Sequence, residues 1–322
     1  MHRDIKKPGR PGAVWAALIA VYIAWGSTFL AIRYVVETMP PFLTASVRFL
    51  IAGGILYAWR RISGDAPPTR RQWRSAAVVG LFLLLGGNGC VSWAEQRLTS
   101  SVTALLIASV PVWMVLLDAL LHGRQPGYQK PGRWTLLGIF VGFAGIVLLV
   151  SPNQQEGAQG KIDLLGAAVV TLGAFLWAAG SLYSRSADLP DSPLLSTSME
   201  MLCGGVGLLL AGTVTGEWAS INIPAISANS LLGLIYLIIF GSWVGFAAYT
   251  WLLRSAPTPL VSTYAYINPV VAVVAGHLIA AEPLTLRMEL AAAVIIGAVV
   301  VITITQSPPA NAEESAVPLL EK

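Results

Sequence analysis

Charged side chains are scarce in this 322-residue chain. They make up 11% of it, whereas about a quarter of the residues of an ordinary soluble domain are charged. Hydrophobic residues account for 55%, and the mean hydropathy is +0.69. This composition excludes a soluble globular protein and predicts an integral membrane protein without a soluble domain.

Cysteine is also rare, with two residues in the whole sequence. Cys90 and Cys203 both fall inside apolar stretches, so the sequence predicts neither a disulfide framework nor a metal site. It contains no glycine-rich phosphate-binding loop, no Ser-His-Asp arrangement and no nucleotide-hydrolysis motif. We therefore expect no cofactor and no direct use of ATP.

Ten apolar stretches approach the roughly 20 residues that a helix needs to cross a membrane. They span residues 14–36, 42–59, 75–93, 102–121, 134–150, 164–183, 195–214, 230–253, 259–281 and 288–305. The first is too long for the apolar core of a signal peptide and lacks a small-x-small cleavage site. It is therefore predicted to be a retained helix.

Basic residues fall mostly on one side of the membrane if the N-terminus is cytoplasmic. The cytoplasmic set is then Arg3, Lys6, Lys7, Arg10, Arg60, Arg61, Arg70, Arg71, Arg74, Arg124, Lys130, Arg133, Arg185, Arg254 and Lys322. Only Arg97, Lys161 and Arg287 lie outside. By the positive-inside rule, both termini are predicted to be cytoplasmic. The net charge of +4 thus marks topology, and no nucleic-acid partner is expected.

The two halves of the sequence resemble each other weakly but in a consistent order. The segment from Trp25 to Arg33 resembles that from Trp177 to Arg185, at an offset of 152 residues, whereas Pro111 aligns with Pro269 at an offset of 158. A repeat with an odd number of helices inverts its second copy in the membrane. The predicted fold class is therefore an all-α integral membrane protein of ten transmembrane helices, arranged as two inverted five-helix repeats.

The predicted domains follow from this repeat. They are a cytoplasmic N-terminal segment (1–13), a first repeat (14–150), a second repeat (151–305) and a cytoplasmic, disordered tail (306–322). Pro269 is expected to break the ninth helix, because proline lacks the N–H that would bond the carbonyl of Ala265. Pro111 is its counterpart in the fourth helix. Such breaks survive in a membrane only against protein or a water-filled cavity.

Several motifs resemble a known family, the drug/metabolite transporter superfamily and specifically its EamA-type ten-helix carriers. The motifs are Trp25-Gly-Ser-Thr-Phe29, Arg48-Phe49, Trp93-Ala-Glu95 before Ser100, Ala178-Ala-Gly-Ser-Leu-Tyr183, Glu200-Met201, Ser262-Thr-Tyr-Ala-Tyr-Ile-Asn-Pro269 and Glu282-Pro-Leu-Thr285. The resemblance covers residues 14–305. Glu282 matches an acidic residue that the family often carries after the fourth helix of each half, whereas the first half has Arg124 instead.

This resemblance implies a basket of helices around a central cavity, with the fifth and tenth helices at the periphery. It also implies a bacterial-type inner membrane, export, and a small organic substrate such as an amino acid, another metabolite, a nucleotide-sugar or a drug. Fold alone does not identify the cargo. The sequence leaves open whether protons are the coupling ion and whether two copies pair as a homodimer.

Ionisable residues inside membrane spans are costly and mark functional sites. Arg48 and Glu200 occupy equivalent positions of the two repeats. Arg33 and Glu95 are expected to join Arg48 in a polar network near the outer side, and Arg185 and Arg254 to approach Glu200 near the inner side. These clusters act either as alternating gates or as fixed ion pairs that orient helices. His277 and Asp118 do not by themselves establish proton coupling.

Aromatic and amide side chains supply candidate contacts to a substrate. The deep positions are Trp25, Trp113, Trp177, Tyr264, Tyr266, Asn88 and Asn268. They either line the cavity or pack and bond between helices. Trp59, Trp73, Trp134 and Trp218 fall near the interfaces and are expected to be membrane anchors.

The leading hypothesis is a secondary transporter or facilitator that works by alternating access. A membrane-embedded enzyme acting on a lipid-linked substrate, with Glu95 or Glu200 as general base, is the alternative. It is disfavoured because no second catalytic group accompanies either carboxylate. A signalling or assembly protein is disfavoured by the short connections.

Overall fold

A computed structural model describes residues 11–122, 131–150, 162–256, 258–261 and 263–306, and the regular elements in these ranges are all helical. The long helices are α1 (Pro11–Val36), α2 (Pro41–Ile62), α3 (Arg70–Ala94), α4 (Ser100–His122), α5 (Arg133–Val150), α6 (Leu164–Ser184), α7 (Pro193–Val214), α8 (Ala228–Ser255), α9 (Tyr264–Ala280) and α10 (Leu286–Gln306). The predicted fold class is confirmed. The N-terminal segment to Arg10, the tail after Gln306, Arg124 and the Arg254 side chain lie outside the described residues.

The first eight helices are long and apolar enough to cross a membrane, and α9 is a shorter apolar helix. Three of the predicted interfacial tryptophans, Trp59, Trp134 and Trp218, are more than half exposed. Trp73 instead packs against Tyr57, with ring centroids 5.7 Å apart. The exposed apolar surface agrees with a protein surrounded by lipid.

Proline and carboxylate groups fix where α2 and α7 begin. Both helices have proline at their first position, where the missing N–H costs no hydrogen bond. The Glu217 carboxylate accepts hydrogen bonds from Phe42 N (3.1 Å) and Leu43 N (2.9 Å) at the start of α2. Hydrogen bonds from Arg60 and then from Ser192, the residue before α7, lower the pKa of Asp65. Asp65 and Glu217 are 152 residues apart and serve opposite ends of the molecule.

Interruptions occur within several helices. The first is at Ser27 in α1, and another at Ala108–Ser109 in α4, directly before Pro111. The third helix of each half contains an eight-residue π-helical stretch, Leu81–Asn88 in α3 and Leu237–Val244 in α8. Stretches of this kind widen the helix and often occur at functional sites.

The predicted helix break at Pro269 is wrong. The helix α9 runs through Pro269, which is buried, and continues to Ala280. A proline removes one backbone hydrogen bond, and the intact turns on both sides here preserve the helix despite that loss. The interruption lies before Tyr264, where Thr258–Val261 forms a separate turn.

Equivalent contacts link the two halves. Trp25 of α1 packs on Gly245 of α8, and Trp177 of α6 packs on Gly87 of α3, each tryptophan filling the space that a Cβ would need. These pairs are related by the offsets of 152 and 158 residues found in the sequence. The first helix of each half thus packs against the third helix of the other, as expected for inverted copies that share one interior.

Glycines also permit close packing between equivalent helices. In the contact of α2 with α7, Gly53 faces Met201 and Gly205 faces Leu50. In the contact of α5 with α10, Gly138 faces Ile302. Small residues at such positions let helix backbones approach in a membrane, where apolar surface alone gives no preference for protein over lipid.

Candidate functional site

The two ends of the helical bundle carry different connections. We call the end with the α1–α2, α3–α4, α7–α8 and α9–α10 connections the Glu282 end. The opposite end, with the α2–α3 and α6–α7 connections, is the Asp65 end. Candidate functional residues occur at both ends and between them.

An aromatic cluster joins α1, α8 and α9. The ring centroid of Trp25 lies 5.2 Å from Phe246, 5.1 Å from Tyr249 and 5.3 Å from Tyr264, and the two tyrosine rings are 5.5 Å apart. The indole N–H of Trp25 donates to the carbonyl of Gly241 at 3.2 Å. That carbonyl lies in the π-helical stretch of α8. The structure therefore brings predicted Trp25 and Tyr264 together in one wall.

Polar groups gather beside this wall at the interruption of α1. The Ser27 hydroxyl lies 2.6 Å from the Tyr236 hydroxyl of α8. Asn268 of α9 is 9% exposed, and its side-chain oxygen has no hydrogen-bond partner among the described residues. Its backbone oxygen approaches Gly26. A buried, unpaired amide oxygen next to an aromatic wall is suited to accept a hydrogen bond from a substrate.

The remaining predicted contacts lie elsewhere. Trp113 packs against Phe143 (5.3 Å) and Phe175 (5.6 Å), and its buried indole N–H has no partner among the described groups.

Half-buried Asn88 ends the π-helical stretch of α3. Tyr266 is half-buried, and the aromatic cluster contains Tyr264 instead of Tyr266. Trp177 packs on Gly87, as described above.

Arg48 is buried in α2 without an ionic partner. Its Nε donates to the Ser242 hydroxyl at 3.2 Å, and its guanidinium lies 4.7 Å from the Phe49 ring centroid. No described carboxylate lies within ion-pair distance of it. The expected contact of Arg48 with Glu95 is therefore not formed. A void of about 10 Å³, room for about one water molecule, adjoins Arg48 between Thr44 and Ser92.

Glu282 connects the two halves at the Glu282 end. Its carboxylate accepts hydrogen bonds from the backbone N–H groups of Ser100 (2.8 Å) and Ser101 (3.0 Å) and from both serine hydroxyls. The acceptor thus caps the first turn of α4 from the other repeat. Ala281 precedes it with φ +50°, a left-handed conformation that turns the chain back toward α4.

Glu95 lies directly after α3, at the same end. Arg33 of α1 donates to its backbone carbonyl and not to its carboxylate. The side chain is 0% exposed, and neither carboxylate oxygen has a hydrogen-bond partner among the described residues. Burial and then the charge of Glu282 raise the pKa of Glu95, and Arg33 opposes them. The structure thus brings together Arg33, Glu95 and Glu282.

At the inner cluster expected from the sequence, the structure does not bring Arg185 to Glu200. The Glu200 carboxylate accepts a hydrogen bond from Ser196, one turn earlier in α7, at 3.0 Å. Arg185 is exposed and lies beyond ion-pair distance of Glu200, because it continues past the end of α6 into solvent. The side chain of Arg254, the other expected partner of Glu200, is outside the described part of the structure.

Two further ionisable residues have local partners. His277 of α9 bonds the backbone carbonyl of Glu282 through Nδ1 at 3.0 Å. Asp118 lies 2.9 Å from His122, one turn later in α4. Both contacts are with near neighbours in sequence and link no distant helices.

Sequence reasoning missed several residues of these sites as individual candidates. They are Ser27, Ser100, Ser101, Tyr236, Ser242, Phe246, Tyr249 and Glu282. Ser27, Ser100 and Glu282 did lie within the motifs that carried the family resemblance. Tyr236, Ser242, Phe246 and Tyr249 carry no such signal, because their roles depend on α8 packing beside α1.

A helical membrane protein with inverted halves and polar groups between them has the construction of a secondary transporter. Among the described residues, no group of His, Cys, Asp or Glu is arranged to hold a metal ion. Residues 10–151 and 164–304 each match the EamA-like transporter family, and the chain belongs to that family, within the drug/metabolite transporter superfamily. It is thus a multi-pass membrane transporter of small molecules and not an enzyme.

Individual relatives agree with this assignment. The chain is 37% identical to the uncharacterized inner membrane transporter YedA of Escherichia coli K12, over 90% of each chain. It is 25% identical to a chloroplastic WAT1-related protein of Arabidopsis thaliana, over 88% of this chain and 68% of that protein. A solved crystal structure with 20% identity has a TM-score of 0.61, covering 92% of this chain and 99% of the other, and so shares its fold.

Proposed function

We propose that this protein is a secondary transporter or facilitator that moves a small organic metabolite or drug by alternating access. The supporting observation is the pair of equivalent contacts, Trp25 on Gly245 and Trp177 on Gly87. Each half supplies a first helix that packs against the third helix of the other half. Exchanging the conformations of the two halves would open the opposite side of the membrane.

The substrate is proposed to bind between α1, α8 and α9. The aromatic wall of Trp25, Tyr249 and Tyr264 offers apolar and π surface to an organic molecule. The unpaired amide oxygen of Asn268 offers a hydrogen-bond acceptor. Asn88, Trp113, Trp177 and Tyr266 are proposed to face the substrate from the other helices when the conformation changes.

The two ends are proposed to act as gates in turn. In this structure the Glu282 carboxylate accepts hydrogen bonds from Ser100 and Ser101, and this link between the repeats is the contact proposed to close the Glu282 end. At the Asp65 end, Glu200 bonds within its own helix. The similarity to an inner membrane transporter supports a bacterial inner membrane. The positive-inside pattern supports both termini in the cytoplasm and the Glu282 end outside. Export is the proposed direction.

Vectorial flux into sealed vesicles tests the proposal. Purified protein in proteoliposomes would be screened against amino acids, other metabolites, nucleotide-sugars and organic cations, with and without an imposed proton gradient. We expect saturable uptake of at least one class that protein-free liposomes do not show. Flux that rises linearly with concentration for every compound, as in the protein-free vesicles, would contradict it.

A further inference from the structure

The carboxyl group of Glu95 has an environment that does not suit a charge. Both oxygens are buried and lack hydrogen-bond partners among the described residues, and the side chain is 0% exposed. A buried carboxylate without partners costs several kcal/mol, whereas the same group carrying a proton avoids most of that cost. The guanidinium of Arg33 donates its hydrogen bond to the backbone carbonyl of Glu95 and not to the carboxylate.

Its neighbour Glu282 has the opposite environment. Four donors surround that carboxylate: two backbone N–H groups at the start of α4 and two serine hydroxyls. These donors compensate one negative charge, and none of them reaches Glu95. The two carboxyl groups are close enough for their charges to interact, but the hydrogen-bond donors around them stabilise the negative charge of Glu282 alone.

Several other charged or titratable groups lie at this end. They are Arg97, which pairs with Asp163 at 3.8 Å and stacks on Trp93; Arg33 of α1 and Glu37 directly after it; Arg48 of α2, bonded to Ser242; His277 of α9, on the Glu282 carbonyl; and Arg287 and Glu289 of α10. No described cation lies within ion-pair distance of the Glu95 carboxylate. The proton is thus the simplest way to neutralise it.

We propose that Glu95 is a proton-binding site whose occupancy is tied to closure of the Glu282 end. While Glu282 holds Ser100 and Ser101, the Glu95 carboxyl is buried and keeps its proton. When the end opens, water reaches the carboxyl, and its O–H bond releases the proton to that water. The inference rests on the proposed alternating access and names the coupling ion and the residue that binds it.

The pair formed by Glu95 and Glu282 has no acidic counterpart at the equivalent positions of the other half, which makes the two ends different. At the sequence offset of 158, Leu253 corresponds to Glu95 and Arg124 to Glu282. Neither of these residues is acidic, and Glu200, the carboxyl described at the Asp65 end, already has a hydrogen-bond donor in Ser196. Protonation of Glu95 therefore stabilises one closed end and biases the equilibrium between the two states, because a ligand shifts only the states that bind it differently.

The sign of the pH dependence follows from this linkage. An exposed glutamate in the open form has a pKa of about 4.3. Burial in the closed form, together with the charge of Glu282, raises the pKa of Glu95. Protonation therefore favours the closed form fully at pH below the open-form pKa, and the preference is lost as pH rises through the closed-form pKa. Between the two values the ratio of closed to open protein falls up to about tenfold per pH unit.

Distance measurements between spin labels test the inference in the full chain. Labels would be placed at Gln96→Cys, in the α3–α4 connection, and Leu278→Cys, near the end of α9, after Cys90→Ser and Cys203→Ser. Both positions are exposed. We expect a longer distance to gain population as pH rises from about 5 to about 9, because deprotonation of Glu95 favours the open form. Glu95→Gln, which imitates the protonated carboxyl, should stay closed at every pH, and Glu37→Gln, at an exposed carboxylate of the same end, should behave as the native protein.

Infrared spectroscopy provides a second readout that needs no label. At neutral pH the native protein and Glu37→Gln should show a protonated carboxylic-acid band that loses the intensity of one group in Glu95→Gln, whatever Glu200 of α7 contributes to it. Absence of that band from the native protein, or pH-dependent opening that persists in Glu95→Gln, would overturn the proposal. Both measurements omit the substrate, so loss of the proton site and failure of the transport screen are separate results.

Discussion

Single side chains at the Glu282 end connect segments that are distant in sequence. Glu282 reaches Ser100 and Ser101 in the other repeat, and Arg33 reaches the carbonyl of Glu95. Both contacts satisfy backbone groups at helix ends, which have no partner in lipid. Residues of this kind close the ends of the bundle and at the same time set the geometry of the polar interior.

Replacement of Glu282 should therefore destabilise the protein. Glu282→Gln removes the negative charge and replaces one of the two carboxylate oxygens by an N–H₂ group, so that two of the four donors lose their acceptor. Hydrogen bonds to charged groups contribute about 1.5–3 kcal/mol each at most, and we expect a loss of about 1–3 kcal/mol in total because the amide oxygen still accepts. Thermal melting of the detergent-solubilised protein would measure it, with Glu289→Gln, at an exposed carboxylate, as control. Equal melting temperatures for both variants would contradict the prediction.

Asn268 should matter for transport and not for stability. Its side-chain oxygen bonds no described protein group, so Asn268→Ala removes no native hydrogen bond at that atom. A lost hydrogen bond to a substrate costs about 0.5–1.5 kcal/mol, which corresponds to about a two- to tenfold weaker affinity. Transport kinetics in proteoliposomes would measure it beside Val274→Ala, at a half-exposed position of the same helix. Normal kinetics would make Asn268 a packing residue.

The sequence located the buried charges but not their partners. Arg48, Glu95 and Glu200 stood out because ionisable residues are rare in apolar stretches. Pairing of Arg48 with Glu95 depends on how far apart the two side chains lie when α2 packs beside α3, and no sequence pattern gives that distance. The structure instead gives Arg48 a serine of α8 and gives Glu200 a serine of its own helix. Glu282 supplied the carboxylate contact that links the halves.

At the scale of helices, the boundaries followed closely from the sequence. Apolar length predicted the spans, and proline, serine or threonine at the starts of α2, α3 and α7 fixed their first residues. The π-helical stretches of α3 and α8 were not predicted, because they arise from packing and not from composition. Pro269 was predicted to break α9 from its own chemistry alone, whereas the neighbouring turns hold that helix together.

The adjacent glycines of α2 offer a matched test of helix packing. A Cβ on Gly53 would lie 2.8 Å from the Met201 Cβ and 3.0 Å from the Ser198 carbonyl oxygen, whereas a Cβ on Gly54 would meet nothing within 4 Å. Gly53→Ala should separate α2 from α7 and lower the melting temperature by the equivalent of about 1–3 kcal/mol. Gly54→Ala should be neutral or stabilise by about 0.5–1 kcal/mol, since alanine favours a helix.

The opposite ranking of these two variants would contradict the packing described for α2 and α7. A loss of stability in both would indicate that Gly54 also faces protein, for example in an assembly of several copies. Chemical crosslinking of the Gly54→Ala protein in membranes distinguishes this case, because a broken assembly would lose its crosslinked species.

At the scale of the whole molecule, the inverted repeat makes the two ends similar in fold and different in charge. At the Asp65 end, Arg60 and Arg61 lie in the last turn of α2 and Arg70 begins α3. At the Glu282 end three carboxylates, Glu95, Glu217 and Glu282, are used in contacts or buried. Contacts between equivalent helices cannot tell which end faces the cytoplasm. The distribution of basic residues indicates the orientation, because loops rich in Lys and Arg tend to stay on the cytoplasmic side of the membrane.

Cysteine labelling of intact bacterial cells would determine the orientation. In a background with Cys90→Ser and Cys203→Ser, the exposed positions Ser63→Cys, between α2 and α3, and Ser220→Cys, between α7 and α8, would each be treated with a membrane-impermeant maleimide. We expect Ser220→Cys to react in intact cells and Ser63→Cys to react only after permeabilisation. The reverse pattern would place the Glu282 end in the cytoplasm, so that Glu95 would respond to cytoplasmic instead of external pH. Because closure of that end is proposed to bind a proton, the orientation also decides which side of the membrane supplies it.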